Sequence, residues 1–333
     1  MRRLLPAIVA TLLLTVATGR AAEVNALLPK ETEQVVYFNF KQAMESDIIK
    51  KYAKTQFKQM LDGEQVKQYT EAFGIDPMKD LDSLTVGLWG KDEPIGMAVL
   101  KGKFDTKKLF EAAKAEAAKS KDKVEIVDIK GDDGEFKAIK LSGENSDKAM
   151  YLSVADGTTV VASSEEKMLA KTLSSFNKKE KSKLEKRISD LVIKQDDKAT
   201  MWYCAVVEGK LNDVNNLDQL GATGIDPEAF KKQLKNLQTI GMTLRLAEAV
   251  SLEINMGMKD ADSADEMSTS LEKLVDTAKS FLPFLSAQAP KAKGIVNDLT
   301  KTLKTTSKNS DVTLGFKITA EAIKTATASG DDD

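Results

Sequence analysis

Apolar and polar positions along this chain pass twice through one order of elements. The first pass opens with the apolar run Val35-Val36-Tyr37-Phe38-Asn39-Phe40, which predicts a strand, followed by helical spacing over 42–61 and 64–73. Gly74-Ile75-Asp76-Pro77 comes next. Residues 84–89 and 95–104 then read as two strands joined by a polar turn, and Asp105 has the chemistry to cap a helix reaching Lys119, with Leu109, Phe110, Ala113 and Ala117 on one face.

The second pass repeats that order: a strand over 201–207, a helix over 212–220, Gly224-Ile225-Asp226-Pro227, strands over 237–246 and 249–258, and a helix from Asp262 or Ser263. In both passes the repeated word has a structural job. Gly can end a helix in the left-handed conformation, Ile can tuck back, and Asp-Pro pre-sets a turn or a first helical position.

The two passes end differently. The first continues as a meander, 124–130, 135–141, 149–154 and 159–162, closed by a helix from Ser163 with Glu166 completing a capping box. In the second, Leu271, Leu274, Val275, Ala278, Phe281 and Leu282 form one helical stripe, and Ile295, Val296, Leu299 and Leu303 form another after Pro283 and Pro290. A strand over 312–318 and a short helix finish it. The expected fold is α+β, with two related modules, 23–196 and a more helical 197–328, each a mainly antiparallel sheet with helices packed on one face.

The ends of the chain carry their own signals. Arg2 and Arg3, the apolar run 4–16 and the small residues around Ala21 and Ala22 have the order of a secretory signal peptide over 1–22. The run is too short and too interrupted for a membrane span, so no integral membrane segment is expected after cleavage, and the chain is expected to be exported, to the periplasm or the outside. Residues 329–333 read as a solvating acidic tail.

Charge and chemistry narrow the function further. The formal net charge is −2. Losing Arg2, Arg3 and Arg20 with the leader makes it more acidic and leaves only Arg187 and Arg245 as arginines. Lysine does not grip phosphates with a planar fork, so nucleic-acid binding is disfavoured. The lysine-rich stretch 178–187 is interleaved with Glu180 and Glu185 and reads as a solvated helix face. The chain has no histidine, which removes the usual Ser-His-Asp, Cys-His and His-zinc chemistries. Ser-x-x-Lys spacings occur no more often than chance allows, and no phosphate-cradling glycine loop is present. Cys204 sits in an apolar strand and reads as a small buried hydrophobe. The acids Asp260, Asp262, Asp265 and Glu266 lack an EF-hand pattern and suit the first turn of a helix. No catalytic residue, cofactor or metal site is therefore assigned.

One feature points to binding. Phe281-Leu282-Pro283-Phe284-Leu285 is a dense apolar corner, and Met256 and Met258 fall in the same module; together these side chains could contact an apolar ligand. Ordinary core packing explains the same residues.

The leader, the strand end Gly102-Lys103-Phe104-Asp105 before a helix carrying Leu109, and the Gly-Ile-Asp-Pro entry into a hairpin resemble secreted bacterial proteins of unknown function built of tandem α+β modules. That resemblance implies an envelope or extracellular location and no activity. The leading expectation is an exported, non-enzymatic binding or envelope-associated protein whose partner is an envelope protein or an apolar ligand. Two alternatives stand beside it: a periplasmic carrier of an apolar, lipid-like or peptide ligand, and a hydrolase using carboxylates alone.

Overall fold

The computed structural model describes residues 26–327 except 56–58, 60–62, 64–74, 77, 91–94, 120–122, 143–148, 212–220 and 222–223. The expected leader, the 212–220 helix, the acidic tail, all of the expected 64–73 helix and residues 56–58, 60 and 61 of the expected 42–61 helix lie outside the described residues. The strands are β1 (Gln34–Asn39), β2 (Leu81–Trp89), β3 (Ile95–Gly102), β4 (Val124–Gly131), β5 (Gly134–Ser142), β6 (Ala149–Asp156), β7 (Thr159–Ser163), β8 (Met201–Val206), β9 (Leu237–Leu246), β10 (Ala249–Met258), β11 (Lys304–Lys308) and β12 (Asp311–Thr319). The helices are α1 (Phe40–Glu45), α2 (Thr106–Lys119), α3 (Glu166–Asn177), α4 (Lys186–Ile193), α5 (Pro227–Lys235), α6 (Ala261–Gln288), α7 (Lys293–Thr302) and α8 (Ala320–Thr327).

All twelve strands join one mixed-length antiparallel sheet in the order β4-β5-β6-β7-β3-β2-β1-β8-β9-β10-β12-β11. The fold is thus α+β, with the strands of both chain halves in a single sheet. The joint is β1 against β8, with Val35 opposite Cys204 and Tyr37 opposite Trp202. The two rings stack with centroids 5.1 Å apart, and the Tyr203 hydroxyl donates to Gln34 Oε1 at 3.0 Å. Burial raises the Tyr37 pKa, so the phenol stays neutral.

Alternation sends successive side chains to opposite faces. On one face Val35, Met97, Val99, Val161, Trp202 and Cys204 form a core with Leu169, Ala170 and Leu173 of α3 and Ile188 and Val192 of α4. Across the sheet, Val124, Ile139 and Val160 meet Leu109 and Ala113 of α2, and further along Met256, Met258 and Val312 meet Ala264, Met267 and Leu271 of α6. The expectation of helices on one face is therefore corrected for the first half. Its strands are apolar on both faces, Val160 and Val161 being buried in succession, and a sheet apolar on both sides needs a helix on each.

Local signals explain most element ends. Asp105 Oδ1 accepts from the Lys108 N–H at 3.1 Å at the start of α2. Gly224 has φ +78°, Ile225 is buried, and Asp226 Oδ1 accepts from the Glu228 N–H at 2.9 Å above Pro227, which begins α5. In the other copy of the word Asp76 Oδ1 accepts from the Met78 N–H at 3.0 Å. Ser163 corrects the expected capping box: it is the last residue of β7, and its Oγ accepts from the Glu165 N–H at 3.1 Å, so α3 starts later.

Pro283 does not end a helix, contrary to the pattern. α6 runs through it for 28 residues. Proline removes one donor to the carbonyl four residues back, and here Pro283 itself is exposed, where water can replace the lost partner.

Gly102 shows why the strand end before α2 is glycine. Its N–H donates to Thr158 O at 3.0 Å, and a Cβ there would come within 2.1 Å of the Asp80 carbonyl oxygen, a backbone atom that cannot swing aside. Gly102→Ala should destabilise the protein by about 1–3 kcal/mol through overpacking, read as a lower urea midpoint at unchanged slope.

Candidate functional site

The sheet face that carries α3 and α4 changes character where β8 meets β9. One row across the strands shows it: Met97, Gly87, Val35 and Cys204 lie in or beside the core, and their continuing partners are Gly241, Asn255, Thr313 and Thr306. Between Thr239 and Gly257 the β9–β10 pair alternates, as does β12, with Ile240, Met242, Leu244, Leu252, Ile254 and Leu314 on the α6 face and Thr239, Thr243, Arg245, Glu253 and Asn255 on the other. The polar positions, with Lys194, Gln195 and Asp196 after α4 and Lys308 and Asn309 of the β11–β12 turn, line a groove of about 490 Å³.

Two glycines shape its floor. A Cβ on Gly257 would come within 2.2 Å of Thr239 Oγ1, so only glycine leaves that threonine in place. At Gly241 the nearest atom to an added Cβ is Gln195 Nε2 at 3.6 Å, ordinary contact, so that position is open.

The polar groups hold one another in order. Thr313 Oγ1 donates to Asn255 Oδ1 at 2.7 Å, and Asn255 Nδ2 donates to Glu253 Oε1 at 3.1 Å. Thr243 Oγ1 donates to Gln195 Oε1 at 3.2 Å, and Arg245 Nε donates to Asp196 Oδ2 at 3.1 Å. Lys194, Arg245 and Lys308 balance Asp196, Glu253 and Asp311, so the groove favours neither a polyanion nor a metal cation. No group of three or more potential metal ligands occurs among the described residues.

Both arginines expected in the mature chain tie α4 to the second half. Arg187, at the start of α4, pairs with Glu208 at 2.5 Å; Arg245 holds Asp196 beyond its end. The groove therefore spans the boundary expected between residues 196 and 197.

The residues singled out from sequence are not brought into one pocket. Met256 and Met258 are buried with Met267 beneath the first half of α6, and Leu282 is also buried. Phe281 and Phe284 are each 62 % exposed and Leu285 is 52 % exposed near the other end of the helix. Met267 and Phe281 are about 21 Å apart along the helix axis at 1.5 Å per residue. Asp260 caps α6, accepting from the Ser263 N–H at 2.8 Å, and this partnership holds its carboxyl below the usual range. Asp76, bonded to Lys79, and Asp298, bonded to Thr319, are likewise lowered, the reverse of what a proton-donating acid requires.

Sequence reading passed over Thr243, Arg245, Asn255 and Gln195. The available signal was the alternation itself, Thr-x-Gly-x-Thr-x-Arg on β9 and Glu-x-Asn-x-Gly on β10, together with the rarity of arginine.

No protein-family model matches the chain, and no curated protein or solved structure does either.

Two outcomes follow. Burial pushes the Cys204 thiol from an ordinary 9.0 up to about 12. Between those values the unfolded chain has released the proton and the folded one keeps it, so stability falls as pH rises, by at most about 1.4 kcal/mol per pH unit. Cys204→Ala should show a shallower fall between about pH 9 and about pH 11 in urea unfolding, and the native wild-type thiol should resist alkylation until the protein unfolds. For Arg245→Ala and Asp196→Ala, a double-mutant cycle on unfolding should give a coupling of about 0.2–1 kcal/mol, small because both groups are partly exposed.

Proposed function

We propose that this chain is an exported binding protein, acting without catalysis, built of two related modules with a polar ligand site in the groove between them. The observation that carries the reading is the changeover on one sheet face. Where the first half presents apolar side chains to α3 and α4, the second presents threonines, an asparagine and two glycines around a hollow. The related-module reading draws support from strand order. Outward from the central pair, β1-β2-β3-β7-β6 is mirrored by β8-β9-β10-β12-β11, and a helix follows β3, β7, β10 and β12 alike. Non-enzymatic action is supported by the absence of histidine and by the lowered acids Asp76, Asp260 and Asp298 at caps and turns. Export rests on the 1–22 leader.

The ligand this site suits is an extended, hydrated polar chain bearing both charges or none, held by hydroxyl and amide groups. An apolar cargo finds little support in a groove lined this way.

The test compares wild type with Gly241→Met, whose side chain would fill the open floor without a backbone clash. Passed over the same native envelope extract, the wild type should retain a ligand that Gly241→Met loses. That ligand, purified and supplied at 100-fold over its Kd, should stabilise only the wild type, by about 2.7 kcal/mol. Equal retention by both proteins sinks the proposal.

A further inference from the structure

We infer that the hollow at the start of α4 is a second binding site, for a small uncharged molecule with an apolar face and a hydrogen-bonding oxygen. The hollow holds about 570 Å³ and lies where β1 begins and β2 and β8 end, against the first turn of α4. It shares no lining residue with the polar groove at the other end of that helix. Trp89 and Ile188, both part of the core beneath α3 and α4, join the part-buried Val206 in an apolar wall. Thr32 supplies the polar group. It lines the hollow, is only 2 % exposed, and its Oγ1 has no hydrogen-bond partner among the described residues. An enclosed hydroxyl left without a partner carries a penalty that a ligand oxygen would remove.

Nearby strand-end backbone groups are already satisfied. Thr32 N–H donates to Pro29 O at 3.1 Å, Glu33 N–H to Leu88 O at 2.9 Å and Val206 N–H to Glu33 O at 3.0 Å. The first turn of α4 differs. Glu185 precedes it without a side-chain cap, so its leading N–H groups add donors beside Ile188. Donors together with a hydroxyl call for an acceptor oxygen. Thr32 sits over Gly87, where an added Cβ would lie 3.1 Å from both its Oγ1 and its Cγ2. In the complex the side chain turns about its Cα–Cβ bond, from one staggered position to the next, to bring Oγ1 to the ligand.

Charge sets the class of ligand. A helix N-terminus with Lys30 and Arg187 beside it would by itself suit an anion. Here those cations already have carboxylates, Lys30 with Glu185 at 3.7 Å and Arg187 with Glu208, while Glu33 pairs with Lys210. Glu31 also lines the rim, and the sequence after Gly90 adds Lys91, Asp92 and Glu93, so acids outnumber bases there. An anion is the poorer match, and a neutral carbonyl or hydroxyl compound the better one.

The test uses benzamide, a neutral aromatic with a carbonyl oxygen, and benzoate, which has nearly the same shape and a negative charge. The chain has two tryptophans, so the indole N–H of Trp89, assigned with Trp89→Phe, reports on the hollow in an NMR titration. Benzamide should move the Trp89 signal saturably, and benzoate should bind at least about tenfold more weakly. Thr32→Val should weaken benzamide binding by about tenfold while raising the urea midpoint of the free protein, because it removes an unpartnered buried hydroxyl. A hydroxyl with a purely structural role would give the opposite change in midpoint. Thr32→Ser, which keeps the oxygen, should bind within about threefold of wild type, and Gly241→Met in the groove should leave the titration unchanged. An unmoved Trp89 signal in wild type, benzoate binding as tight as benzamide, or equal binding by Thr32→Val overturns the inference. So does a lowered urea midpoint in Thr32→Val.

Discussion

The structure depends on the ladder between β1 and β8. Five residue pairs, Gln34 with Ala205 through Phe38 with Met201, turn two sets of strands into one sheet. Backbone bonds extend the seam at both ends, Asn39 N–H to Thr200 O at 2.9 Å and Val206 N–H to Glu33 O at 3.0 Å. Side chains lock it. Asn39 donates to Asp197 O at 3.0 Å, Gln42 to Leu246 O at 2.9 Å, and Thr200 to Gln42. Antiparallel partners share a face, so this register places Cys204 beside Val35 in the core. It also fixes which residues of β9 and β10 look toward α4.

The groove is a consequence of that shared face. α3 and α4 cover the apolar part of it, and the chain then crosses from α4 into β8 with Gln195 and Asp196 reaching over to Thr243 and Arg245. Beyond them the strands turn polar. An antiparallel sheet tolerates one watered face, whereas an apolar one would have required another helix. The hollow thus lies where the covering helices stop, and its walls come from residues far apart in sequence.

The opposite face follows a different rule. α6 runs for 28 residues there, and Pro283 does not stop it. Its last turns leave two phenylalanines and a leucine in water, a combination with a cost that an interaction surface would offset. The exposed edge strand β11, by contrast, is short and polar, with Lys304 and Lys308 at its ends, as an edge that avoids pairing should be.

Local pattern sufficed for much of the fold. The β9–β10 hairpin was legible because both strands alternate, the Asp105 and Asp226 caps because their chemistry acts within a few residues, and the buried, unreactive Cys204 because its neighbours are apolar. β11, α4 and α5 were missed, being short, polar or charged and stabilised mainly by what they pack on. The break expected at Pro283 failed because a proline in a watered turn loses one bond, and the rest of a long amphipathic helix outweighs it. By itself the sequence determined element type, the α+β class and the chemistry excluded by a lack of histidine, all properties of composition and short-range periodicity. Only the tertiary structure decided that the strands form one sheet, that helices cover both faces of its first half, and that Gln195 and Asp196 stand beside Thr243, Arg245 and Asn255. Those outcomes rest on long-range strand pairing, which no local spacing encodes.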